Sequence, residues 1–392
     1  MPQTPALFLL LLLALGLFGC TSNPSLPSQP PIQVVGGKGL AALSQAGQPL
    51  SFAGLVGQLL DEDVIYIGER HDHLADHQIQ LALLEALHHH KVKLAIGLEW
   101  IQRPFQQHLD DFIAGRIDEA EMLRRTQYFS RWGVDYRHYR PIIQLARAQG
   151  IPLLGLNAPS ELVQAIMQGG LKSLVDFYVA QLPEEYYFTN EEYEQRLQQV
   201  YKQHQGLKSP FSHFYEVQLT WDETMAEQVT RFLESDSETT LVVLAGAGHL
   251  EYGHGIPDRV ERRTELPGKI LLPFIADRNE PRIADFLLTT APVELPPAGL
   301  LGVSLRHVPQ PLVVVDLDPA GAAYKAGMRK GDRIVRIDAQ AIRDLTDLKL
   351  ALLDKPPGTE IQLDLVREGE GEQHRSLRLR LSAPGKDLRG QL

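Results

Sequence analysis

Four short apolar runs constrain this chain more than anything else in it: "DVIYIG" at 63–68, "VKLAIGLEW" at 92–100, "IPLLGLN" at 151–157 and "TTLVVLAGAG" at 239–248. Each is apolar at consecutive positions, the pattern of a strand buried on both faces. Between them lie stretches with helical spacing. Residues 74–90 carry apolar side chains at 79, 81, 83, 84 and 87, residues 101–149 are helical with breaks at Gly115 and Trp132-Gly133, and "APSELVQAIM" opens another helix. Strands that alternate with helices predict an α/β fold with a mostly parallel sheet and flanking helices. Residues 171–235 hold no strand pattern and are rich in Glu, Gln and Tyr, which predicts an inserted helical lobe. "KILLPFI" (269–275) and "RIADFLLTT" (282–290) read as closing strands, so the first domain spans 36–290.

At 392 residues the chain is long enough for two domains. A net charge of −11 argues against nucleic acid as a partner. The single cysteine, Cys20, excludes an intramolecular disulfide and a cysteine-based zinc cluster. Metal ligands would therefore have to be His, Asp, Glu or Tyr.

Chemistry is written where strands end. Gly68-Glu69-Arg70-His71 and Gly246-Ala247-Gly248-His249 are two G-x-x-H stretches, each leaving a buried strand. Parallel sheets bind ligands at the carboxyl ends of their strands, so both turns can look into one crevice. A glycine lets the backbone turn sharply and approach a ligand, and imidazole can act as metal ligand, haem ligand or general base. Glu69 adds a carboxylate, and Glu99, ending "IGLE", sits in an apolar run where a lone charge needs a partner. His71, Glu69, Glu99 and His249 would together suit a divalent transition metal. His73 and His77 share a helix face but read as solvated first-turn residues, and His88-His89-His90 as a helix C-terminus.

The two ends of the chain differ from its middle. Residues 6–19 are apolar, the length of a signal-peptide core, and Leu17-Phe18-Gly19-Cys20 resembles a bacterial lipobox. That resemblance implies a signal peptide over 1–20 and a lipid on Cys20. It places the protein in the bacterial cell envelope, anchored to a membrane; Thr21 after the cysteine implies the outer one. Residues 21–35, Ser- and Pro-rich and uncharged, form a tether. "APVELPPA" at 291–298 is a Pro-rich linker. Beyond it, Leu301-Gly302-Val303, Pro319 through Gly327, Gly331-Asp332-Arg333-Ile334 and the Pro357-Gly358 turn resemble a PDZ domain over 299–384. The resemblance implies that backbone N–H groups near Leu301, Gly302 and Val303 take a protein C-terminus or extended peptide, beside a helix at 344–354.

"YIGERHDHLADHQIQLALLEAL", "LAIGLEW", "RWGVDYRHYRPIIQLARAQGIPLLGLN", "TWDETMAEQV", "LVVLAGAGHLEYGHGIPDRV" and "RIADFLLTTAP" resemble, in this order, the ChaN-like lipoproteins of the haem-binding uptake, Tiki-like superfamily. The resemblance implies haem or iron binding at a homodimer contact through tyrosine and histidine. The tyrosines on offer are Tyr186, Tyr187, Tyr193, Tyr201 and Tyr215 in the lobe, with Tyr136 and Tyr139 upstream, while Trp221 and Asp222 are candidates to face the crevice. The superfamily also holds metal-dependent peptidases and esterases with two G-x-x-H motifs and a glutamate, matched here by Gly68, His71, Gly246, His249 and Glu99. Three functions follow: a haem- or iron-binding lipoprotein, a metal-dependent hydrolase using Glu69, His71, Glu99 and His249 as catalytic groups, and a PDZ adaptor.

Overall fold

The structure is a computed structural model that describes residues 33–36, 50–188, 190–203, 206, 208–274, 282–289, 292–306, 312–368 and 371–384. Cys20, the signal segment and most of the expected tether lie outside the described residues.

The first domain is built on a sheet of order β1-β7-β6-β2-β5-β3-β4. Its strands are β1 (Gln33–Gly36), β2 (Val64–Glu69), β3 (Leu94–Gln102), β4 (Leu153–Asn157), β5 (Thr240–Gly246), β6 (Lys269–Pro273) and β7 (Phe286–Thr289). β2 to β7 run parallel, and β1 pairs antiparallel with β7, so residues 33–35, read as tether, form part of an edge strand. The continuous apolar runs are explained by two cores. Ile65, Ile67, Ile96, Leu98, Val242 and Leu244 face one layer of helices, which includes Leu74–His89 and Arg140–Gln149. Tyr66, Ala95, Leu241, Val243 and Ala245 face the other. There Met225, Ala226, Val229 and Leu233 pack from the long helix Phe211–Ser235. That helix begins in the expected lobe, but its second half covers the sheet. Glu191–Gln203 adds a second long helix to the lobe, and Tyr193, Leu197, Phe214 and Tyr215 form a core of its own.

The second domain is an antiparallel sheet of order β13-β12-β10-β9-β8, with the short β11 beside β10. Its strands are β8 (Val303–Arg306), β9 (Val313–Leu317), β10 (Arg333–Ile337), β11 (Gln340–Ala341), β12 (Glu360–Arg367) and β13 (Gln373–Arg380). The helix Leu345–Leu352 joins it to the first domain. Arg124 donates to Asp344 (2.5 Å) and Asp347 (2.6 Å), Arg140 donates to Asp354 (2.9 Å), and Leu353 enters the first domain's core.

Candidate functional site

Sheet register brings the two G-x-x-H turns together. β5 lies between β2 and β3, Glu69 is level with Gly246, and Leu98 is level with Leu244. Glu99 therefore stands one residue further along, at the same edge as both turns. The first turn is closed by Arg70, whose guanidinium and amide N–H both donate to Asp76 in the following helix (2.7–2.9 Å). The second is a tight turn over Ala247–His249, held by Arg196, which donates to Glu251 (2.5 Å) and to the Gly248 carbonyl (3.2 Å). A Cβ at Gly246 would lie 2.8 Å from His71 Cε1 and 3.0 Å from its Nε2, so a bare backbone is required where the imidazole passes.

Each imidazole leans on its own carboxylate. His71 Nδ1–H donates to Glu69 Oε1 (2.9 Å), and His249 Nδ1–H donates to Asp222 Oδ1 (2.6 Å). A carboxylate on Nδ1 fixes the tautomer and turns the far nitrogen toward the site. His249 Nε2 lies 3.5 Å from Glu99 Oε1, while Glu99 Oε2 accepts the Gly246 N–H (2.5 Å). Glu69 and Asp222 are buried and further satisfied: Tyr139 OH (2.9 Å) and Gln80 Nε2 (2.8 Å) donate to Glu69, and Tyr193 OH donates to Asp222. Two His–carboxylate pairs thus flank a central glutamate.

The electrostatics follow. Burial pushes the Glu99 carboxyl up, but His249, His71 and the Gly246 N–H outweigh it and hold it down at about 2. Burial pushes His249 down, but Asp222 and Glu99 raise it to about 10. His71 is likewise raised, by Glu69 and Glu99 against burial. Two carboxylates facing one imidazole favour its charged form, which offsets part of the acidic lining. By donor type the residues suit a divalent ion, yet among the described residues no three His, Cys, Asp or Glu side chains are placed to hold one together.

The sequence model of the haem-binding uptake, Tiki superfamily, ChaN family matches residues 55–260, just over half of the chain. The chain belongs to that family. Residues 299–375 match the PDZ domain. Among solved structures, one described as cofacial heme binding to ChaN of Campylobacter jejuni covers 66% of this chain and 97% of its own, at 18% identity and a TM-score of 0.54; that likeness is one of fold. Two curated relatives match short segments. A probable periplasmic serine endoprotease DegP-like of Halomonas elongata is 32% identical over 84 residues, 18% of each chain. The regulator of sigma-E protease RseP of Escherichia coli is 33% identical over 73 residues, 19% of this chain and 16% of the relative. The chain spans less than a fifth of the length of both.

In this ChaN-family chain, several residues stand otherwise than their sequence neighbourhood suggests. His77 is not solvated but buried: its Nε2–H donates to the His71 carbonyl (3.0 Å) and its other nitrogen faces Gln80 (3.2 Å), so it props the turn from beneath. His73 is exposed, as its reading as a solvated residue expects, but it precedes that helix and is not in its first turn. His138, which sequence reasoning missed, packs against His77 with ring centroids 5.0 Å apart, and burial and His77 hold it down at about 4. Trp132 packs edge-on against His71 at 5.0 Å. Of the tyrosines, Tyr136 donates to Glu119, Tyr139 to Glu69, Tyr193 to Asp222, Tyr201 to the Ser209 carbonyl and Tyr215 to the Phe188 carbonyl, while the Tyr186 hydroxyl pairs with Thr220. Tyr187 lies under Arg262, its hydroxyl without a hydrogen-bond partner among the described residues. Gly68 is a packing glycine: a Cβ there would run into Leu272.

In the PDZ domain, β8 is a terminal strand of its sheet. Gly302, at φ +74°, turns the chain just before it and packs against Gly321, where a Cβ would sit 2.8 Å from Cα. The amides of Leu301 and Gly302 donate to no group among the described residues, although their carbonyls accept from Ala323 and Asp318.

Proposed function

We propose that this chain is a haem-binding lipoprotein of the bacterial cell envelope that serves iron uptake. A lipid on Cys20 anchors it to the outer membrane, and its PDZ domain docks protein C-termini. The observation that carries the haem reading is the surface of the helical lobe of a ChaN-family domain. Val175, Phe177, Val179 and Phe188 are exposed large apolar side chains there, with Phe177 at 71%. Exposed apolar side chains of this size gain from an apolar covering, and a flat macrocycle supplies one. Tyr178 beside Phe177, and Tyr187 beside Phe188, keep hydroxyls without a hydrogen-bond partner among the described residues, so either offers an oxygen to iron. A homodimer pairing two such ridges would enclose the ligand on both sides.

The docking reading rests on the terminal strand β8 and the two free amides before it, which are what an incoming strand and its carboxylate require. A second reading is favoured by the two His–carboxylate pairs around Glu99: a metal-dependent hydrolase in which His71 and His249 hold the ion and Glu99 manages the proton. Titration with hemin separates the two. The haem reading expects a Soret band that Phe177→Asp weakens and that His249→Ala leaves in place. A Soret band lost with His249→Ala but not with Phe177→Asp would place the ligand in the crevice and refute the ridge.

A further inference from the structure

We propose that the PDZ groove prefers C-termini that carry a carboxylate side chain two or three residues upstream of the last; this rests on the docking reading above. The argument starts from the two walls. On β8, Val303 and Leu305 are half-buried and pack toward the domain core, while Ser304 and Arg306 are exposed. On the helix Leu345–Leu352, Leu345 and Leu352 are half-buried against the same core. Lys349 is four residues after the first and three before the second, so it lies on the same stripe, and it is exposed. Val303, Leu305, Leu345 and Leu352 make both walls apolar toward the core, and each wall carries an exposed cation.

Among the described residues those cations are unspent. In the same domain Arg343 pairs with Asp347 (2.8 Å), Lys330 with Asp316 (2.7 Å), Lys355 with Asp338 (3.2 Å) and Arg367 with Asp332 (2.7 Å). Arg306 and Lys349 have no carboxylate partner among the described residues. A strand added antiparallel to β8, its carboxylate at the amides of Leu301 and Gly302, advances about 3.3 Å per residue. It alternates its side chains between the two faces. The last side chain and the one two before it then point into the groove, the latter toward Lys349. The third before the last shares the outer face with Arg306, some four residues along β8 from the carboxylate. Both positions meet a positive charge.

The test is binding of N-terminally labelled hexapeptides ending in Val to the full chain in detergent. Their second and third positions before the last carry Glu or Lys, each with a free or amidated C-terminus. Two exposed charge pairs favour the acidic peptide by roughly 5- to 10-fold over the basic one, less in high salt. Lys349→Glu with Arg306→Glu reverses the order without changing the need for a free C-terminus. Equal binding of acidic and basic free peptides, or a preference that survives the charge reversal, overturns the proposal while leaving docking intact. Failure of every free peptide to bind better than its amide overturns the docking reading and this inference together.

Discussion

Replacing Asp222 by Asn would expose how much of the fold hangs on the crevice. Asp222 is buried and accepts the His249 Nδ1–H at 2.6 Å. His249 is raised from 6.5 to about 10 by Asp222 and Glu99 against burial. A shift of that size corresponds to about 5 kcal/mol between the charged and neutral forms, shared between two carboxylates. Asparagine keeps the shape and one acceptor but loses the charge, so the loss should be about 2–3 kcal/mol. Its pH dependence is specific. The folded pKa lies above the unfolded one, so the stabilisation is complete below pH 6.5 and fades as pH rises through about 10. Urea unfolding at pH 6.5, 8 and 9.5 should show the wild type losing stability along this series, with Asp222→Asn lower at pH 6.5 and much flatter. The difference between the two curves isolates the pair from other titrating groups. If both proteins share one slope, or Asp222→Asn matches the wild type at pH 6.5, the charged pair is not what holds this site.

Three other expectations follow from single positions. Gly246→Ala puts a methyl group against His71 and should cost about 1–3 kcal/mol, with a moved His71 resonance; an unchanged melting temperature would contradict this. Gly302→Ala imposes a Cβ at φ +74° and against Gly321, and should abolish peptide docking while leaving haem titration untouched; peptide binding at wild-type strength would rule out the carboxylate loop. Cys20→Ser should move the protein from the membrane to the soluble fraction on cell fractionation, and a variant that stays membrane-bound would remove the lipid anchor from the account.

The sheet was legible because β2, β3, β4 and β5 are apolar on both faces, a pattern that few other structures produce. The helix Leu345–Leu352 was legible within 344–354 through the resemblance to a PDZ domain. What sequence spacing could not supply were partners brought together by the sheet. Asp222 lies 27 residues before His249, and Tyr139 lies 70 residues after Glu69. The misreading of His77 has the same origin. A histidine in a polar first turn looks solvated until the preceding turn folds back over it and its carbonyl needs a donor. The edge strand β1 was hidden because its pairing partner, β7, lies some 250 residues further along.

The measurement closest to the central claim is a hemin titration of the chain from residue 34 onward, with metal analysis of the same preparation and assays on model peptides and esters. The account predicts a saturable Soret band, no turnover, and a band that weakens with Phe177→Asp. Stoichiometric bound metal with metal-dependent turnover, abolished by His71→Ala or His249→Ala, and no Soret band would contradict it and establish the crevice as a hydrolase centre.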